Sequence, residues 1–303
     1  MMSTSGAAST ETSSTLSAHA VSQRQSYPSL VFRQFRKNHA AVIGSVILTA
    51  IFLIVGIGPF FIEDNRNEIN LGSRLALSSI DHPLGTDLLG RDTLTRLIYG
   101  GRISLLITTG AVVIGLVVGT TIGIVSGYYG KFVDMVLMRL IDIMMAIPGF
   151  LLAIAIIAAL GVGTTNVILA VGVFSIPSFA RISRGSTLSI ENQDYVLAAR
   201  AIGGNAPRIL SRHVLPNIVS PLIVQTTLRL ATAMLAASGL SFLGLGPQPP
   251  TPEWGAMLSG GRDFITNAPQ LVFYPGATIF IVAMCFNLVG DGLRDAIDPY
   301  MRR

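Results

Sequence analysis

Three groups of polar residues stand out in a chain that is otherwise mostly long apolar runs. The first is the stretch Asp194 to Pro216, DYVLAARAIGGNAPRILSRHVLP. Its pattern predicts helix, break, helix: Asp194 can cap a short helix to Ile202, with Val196, Ala199 and Ile202 on one face. Gly203 and Gly204 stop it, since glycine tolerates the left-handed cap conformation. Asn205 and Pro207 can start a second short helix, and Pro216 marks the next boundary. Two short helices on a glycine elbow make a knob suited to another protein's groove, so the chemistry here is mechanical docking.

The second group is the run of acids and arginines Asp87, Arg91, Asp92, Arg96 and Arg102, just ahead of an apolar stretch. Such a set can form a collar of paired charges at a membrane surface, either touching a solute or only fixing helices. The third is Arg229, alone inside an apolar run, where a charge costs a few kcal/mol unless it faces protein or water. It could receive a carboxylate, or pair with a neighbouring subunit or with free carbonyls. Catalytic patterns are missing from the sequence. It has no G-x-x-x-x-G-K-[ST] phosphate loop, no H-E-x-x-H pair and no paired groups suited to an intramembrane protease. His19, His39, His82 and His213 are too dispersed for a metal site, so no cofactor is expected.

The elements that must hold these groups are membrane spans. Half the residues are hydrophobic and 12% are charged, against about 25% charged in soluble domains. Apolar runs predict an all-α polytopic protein with six spans near 40–62, 103–128, 132–160, 166–183, 217–243 and 271–290. Residues 1–30, rich in Ser, Thr and Ala, are expected to be a disordered tail; residues 31–303 form the membrane domain. No apolar stretch begins before Ala40, which argues against a cleaved signal. With both termini cytoplasmic, fourteen of the 21 basic residues fall on the cytoplasmic side and six on the other, leaving Arg229 within a span. That bias supports the orientation, with loop 184–216 inside and segments 63–101 and 244–269 outside. Gly115, Gly119 and Gly123 read as a close-packing row. Pro148 and Pro177 can kink their helices. Cys285 is a lipid-facing or packed thiol, and Trp254 suits an interfacial anchor at the end of a stiff, proline-rich, non-helical segment.

Ala198, Ala199, Gly203, Leu215 and Pro216, with His213 and Asn217, stand at the spacing of the EAA loop of ABC-importer permeases. Leu197 occupies the motif's usual acidic position. His82–Leu105, Leu240–Leu258 and Phe286–Pro299 resemble the C-subunit type of dipeptide, oligopeptide and nickel permeases. Phe174–Leu188 and Arg229 are similar to its glutathione-type branch. The resemblance implies type I importer architecture in a bacterial inner membrane. The loop, Gly204 included, would be the coupling helix that enters an ATPase subunit, and Leu240–Leu258 would face a periplasmic solute-binding protein. The implied partners are a homologous second permease and two ATPase subunits that bind the ATP, with no nucleic acid. The implied function is one half of a pathway for short peptides, with glutathione, nickel or opine-like solutes as alternatives. An ion-coupled secondary carrier is the alternative from another class; Asp134 and Asp142 are its only candidate relay residues.

Overall fold

The computed structural model describes residues 27–297. The expected tail, Arg24, Arg302, Arg303 and the closing Pro299 lie outside the described residues, the tail all but its last four positions. Eleven α-helices follow in order: α1 (Tyr27–Phe35), α2 (His39–Ile57), α3 (Thr93–Tyr129), α4 (Lys131–Ala146), α5 (Gly149–Leu160), α6 (Thr164–Ile190), α7 (Asp194–Ala201), α8 (Ala206–Ile209), α9 (Leu215–Phe242), α10 (Trp254–Gly261) and α11 (Gln270–Ile297). No strand occurs among the described residues, only an isolated bridge between Thr86 and Asp92. Helices are the expected solution in lipid, because every backbone N–H and C=O is then satisfied within its own segment.

Five helices are long and apolar enough to cross a membrane, and α4 with α5 make a sixth if counted as one span. The single span expected over 132–160 is in fact two helices bent by 91°. Pro148 is the cause: it has no N–H to donate, and it drives Ile147 into an extended conformation (φ −93°, ψ 130°). A phenyl ring then fills the corner. A Cβ on Gly149 would sit 1.9 Å from the Phe174 ring. Pro177, by contrast, lies within α6 without ending it.

The glycine row organises the bundle. Gly115, Gly119, Gly123 and Gly127 lie on one face of α3, four residues apart, and all are buried against α6. A Cβ on Gly119 would fall 2.5 Å from the Ile176 carbonyl oxygen, so backbone meets backbone along this seam. One apolar core lies between α3, α5, α6 and α9 and extends to Val196 and Ile209 below it. A second joins α2, α3, α9 and α11. Trp254 is buried in that second core with its indole N–H donating to the Leu97 carbonyl at 2.8 Å, not placed at a lipid interface. The proline-rich segment is irregular only up to Glu253, where α10 begins. Cys285 is packed in the second core.

Candidate functional site

The knob is built from both sides of a membrane-spanning pair, at the end of α6 and the start of α9. Gln193, not Asp194, holds the cap position of α7, and Asp194 lies in the first turn, where its charge favours the helix N-terminus. The chain reverses at Gly203 (φ +82°), a left-handed conformation natural to glycine. Gly204 lies against the Ala199 carbonyl oxygen, 2.6 Å from an added Cβ, so the elbow is tight as well as left-handed. Asn205 caps the next helix by accepting the Arg208 N–H at 3.2 Å.

Pro216 does not end a helix there. The chain runs helically from Ala206 to Phe242, passing through a π-turn at Leu210–Val214. Pro216 removes a donor and crowds the carbonyl four residues back, and a widened turn just before it absorbs both effects. The Leu215 N–H donates five residues back to Leu210 O. Inside the knob, Val196, Ile209 and Val214 are buried, and His213 packs 6.3 Å from Tyr195, centroid to centroid. Ile202, expected on one face with Val196 and Ala199, does not share the burial of Val196: it is 87% exposed at the tip. Ala198 is exposed, and Leu215 is 40% exposed.

On the opposite side of the bundle, the collar residues meet unequally. Asp87 accepts from the backbone N–H groups of Leu89 and Arg91 and from both Nε and Nη2 of Arg91 at 2.7 Å. Its Oδ2 also faces Arg96 Nε at 3.5 Å. Arg96 is buried and donates to the carbonyls of Arg66 and Pro250. Asp92 caps α3 through Thr95 N–H and meets His82 Nδ1 at 3.1 Å. Among the described residues Arg102 meets no acid, contrary to a collar in which each charge meets its opposite. It donates to Val55 O at 3.0 Å and Gly56 O at 2.7 Å. The Val55 carbonyl would ordinarily accept from residue 59, which is Pro59; Arg102 supplies the missing donor and a cation at the helix end.

Arg229 sits at the middle of α9 and donates to the hydroxyl of Ser178, at the middle of α6. No carboxylate lies within ion-pair distance of it among the described residues. Two further features tie helices together, the first at the residues considered above as candidate relays. Asp134 and Asp142 bind α4 to α6, through Arg184 (2.5 and 2.6 Å) and Arg181 (2.9 Å). Glu253, 1% exposed, accepts from Ser104 Oγ at 2.9 Å and from Ala256 N–H at 2.9 Å, pinning α10 to α3. Burial pushes its carboxyl above the usual range. A cap acid before an apolar octet is a local signal for Glu253; the α4–α6 pairs, 50 and 39 residues apart, had none.

A bent-span helical bundle with a protruding elbow and an irregular opposite face defines a membrane permease component. Residues 119–303 match the family described as binding-protein-dependent transport system inner membrane component. Residues 26–77 match the N-terminal transmembrane domain of oligopeptide transport permease C. The chain belongs to the binding-protein-dependent inner-membrane permease family of ABC importers, and it is a multi-pass membrane protein. It is 45% identical over 271 residues to the dipeptide transport system permease protein DppC of Alkalihalophilus pseudofirmus, covering 89% of each chain. It is 42% identical over 272 residues to the glutathione transport system permease protein GsiD of Pectobacterium atrosepticum, covering 89% of this chain and 90% of that one. Its fold is similar to an inward-facing structure of the MetNI methionine ABC transporter. The TM-score is 0.55 and the identity 18%, with 67% of this chain and 97% of that one covered.

Proposed function

We propose that this chain forms half of a pathway for short peptides, glutathione among them, and that separate ATPase subunits drive it through the Asp194–Pro216 knob. The observation that carries this is mechanical. An exposed apolar tip at Ile202 stands on a glycine elbow, and the helical run from Ala206 to Phe242 joins that elbow to a span without a break. A push on the knob therefore moves α9 as a lever, the kind of rigid-element shift that switches a transporter between two states. In this reading Ala198, Ala199, Gly203, Gly204, His213, Leu215 and Pro216 form the surface and elbow that seat in an ATPase groove. Both termini and the knob are cytoplasmic; segments 63–101 and 244–269 are periplasmic. A homologous permease supplies the other half of the pathway, and a solute-binding protein delivers the peptide. Arg229, with one hydroxyl partner at mid-span, receives the peptide's carboxylate. The dipeptide and glutathione transport relatives support this choice of substrate.

The test uses the assembled transporter in lipid. Gly203→Val forces a β-branched residue into a left-handed position, at a cost of about 1–2 kcal/mol. Stimulation of ATP hydrolysis by the loaded binding protein is then expected to be lost while the complex still co-purifies. Normal coupling in that variant refutes the lever. Labelling of Ile202→Cys by an impermeant reagent added outside intact cells refutes the orientation.

A further inference from the structure

A groove open to the outside runs from α1 up one side of α2. Phe32, Phe35 and Arg36 line its α1 end, and Val42, Val46 and Leu53 mark its course along α2. The corner between the two helices is fixed. Phe35 lies over Gly292 of α11, 3.2 Å from an added Cβ. Asn38 caps α2 through the Ala41 N–H at 3.1 Å and donates to Asp295 Oδ2 at 3.3 Å. Three exposed cations stand at this corner: Arg33, Arg36 and Lys37. Among the described residues none of them meets a carboxylate. Arg36 lies instead over the Phe32 ring, 5.8 Å from its centroid, which holds the guanidinium at the mouth of the groove.

Beyond the cations the groove asks for no polar partner. Ser45 Oγ donates to Ala41 O at 2.8 Å and Thr49 Oγ1 to Ser45 O at 2.7 Å, so both hydroxyls in its wall are satisfied within α2. From Val42 to Leu53 the helix rises about 16 Å, at about 1.5 Å per residue. One leaflet of hydrocarbon is about as deep, half of roughly 30 Å. Cations at the entry and an apolar trough one leaflet long match the two ends of one molecule. We propose that this groove holds an acyl chain of an anionic phospholipid, with the lipid's phosphate against Arg36 and Lys37. A partner's apolar helix fills the trough but brings no anion to its basic end; free phosphate meets the cations but leaves the trough uncovered. The choice of the cytoplasmic leaflet rests on the orientation proposed above; the lipid chemistry rests on the groove alone.

Photolabelling tests this site by position. The full chain, alone and in the assembled transporter, is placed in phosphatidylcholine bilayers holding a trace of phosphatidylglycerol with a diazirine in its acyl chain. Phosphatidylcholine bearing the same chain is the control, and peptide mass spectrometry locates the label. Phosphatidylglycerol is expected to label residues 42–53 about fivefold more than phosphatidylcholine, a preference that falls as salt is raised. A second apolar groove, lined by Leu235 and Phe280 of α9 and α11, is expected to take both lipids equally. Arg36→Gln with Lys37→Gln is expected to bring the ratio at 42–53 to about one while phosphatidylcholine labelling there stays unchanged. Arg36→Lys, which keeps the charge, is expected to retain most of the preference. A misfolded variant would alter labelling by both lipids and at the second groove, so the ratio separates a lost site from a lost fold. Equal labelling by the two lipids, or a ratio unchanged in the double variant, overturns the site. Labelling of 42–53 in the chain alone that vanishes in the assembled transporter assigns the groove to a partner subunit and overturns the lipid. The experiment needs neither ATP nor solute, so its failure leaves the importer reading intact. Refuted orientation would move the lipid to the other leaflet without altering the ratio.

Discussion

Replacing Gly123 with alanine is expected to destabilise the bundle, although alanine is the better helix former. A Cβ there falls 2.3 Å from the Ala180 carbonyl oxygen, 2.6 Å from Ser183 Cβ and 2.8 Å from the Arg184 nitrogen. Two of the three are backbone atoms of α6, so no side-chain rotation relieves them. A carbon keeps about 3.3 Å from a carbonyl oxygen, so α3 and α6 must part locally by about 1 Å. A gap of that size forfeits roughly a quarter to a half of each dispersion contact along the seam. Overpacking of this kind costs about 1–3 kcal/mol, against about 1 kcal/mol returned by removing glycine from a helix interior. With three hard contacts the cost belongs near the upper end, leaving a net loss of about 1–2 kcal/mol. Gly185, also in α6, has no atom within 4 Å of an added Cβ, so Gly185→Ala is expected to gain about 0.5–1 kcal/mol. Unfolding of the purified protein in detergent, followed by circular dichroism against temperature or added denaturing detergent, reads both. Opposite signs support the close-packed seam. A Gly123→Ala protein as stable as its parent refutes it.

Burial holds the Glu253 carboxyl above the ordinary range. The neutral form is therefore favoured in the fold, and its contribution is complete below the ordinary glutamate range and lost as pH rises through the raised value. Glu253→Gln is expected to flatten that slope in unfolding measured from acid to neutral pH; an unchanged slope excludes Glu253 as its source. Arg102→Leu removes the donors to Val55 O and Gly56 O, and an orphaned carbonyl costs about 1–3 kcal/mol. Arg102→Lys, with no planar fork, is expected to recover only part of that loss in the same assay. Arg184→Gln breaks a two-point bond to Asp134, worth about 1.5–3 kcal/mol, and should raise cysteine-labelling rates along α4 while those of α11 stay fixed. Arg229→Gln, if Arg229 receives the peptide carboxylate, should slow import of free peptides at least tenfold beyond its effect on C-terminally amidated ones; equal slowing of both assigns Arg229 a packing role instead.

Composition and periodicity alone determined that this is a helical membrane protein built from long apolar segments, and that 194–216 is a two-part polar knob with a glycine elbow. Those features are local. Twenty apolar residues need lipid whatever their neighbours, a glycine pair stops a helix by its own backbone freedom, and glycines four apart line one helix face before any partner is known. The tertiary structure decided what depends on a neighbour. Pro148 signals a kink, but only Phe174 over Gly149 and the ion pairs of α4 with α6 fix it as a right-angled break. Ile202 points outward, and Pro216 continues a helix, because the Val196–Ile209–Val214 core takes the inward face and a π-turn takes the strain. Trp254 left the interface for the core because the small Gly101 opens a slot and Leu97 offers a carbonyl. Arg102 found carbonyls instead of acids, and Pro59 had already removed the donor that would have served Val55 O. Charges and rings choose partners in three dimensions, and sequence spacing does not record distances between residues a hundred positions apart.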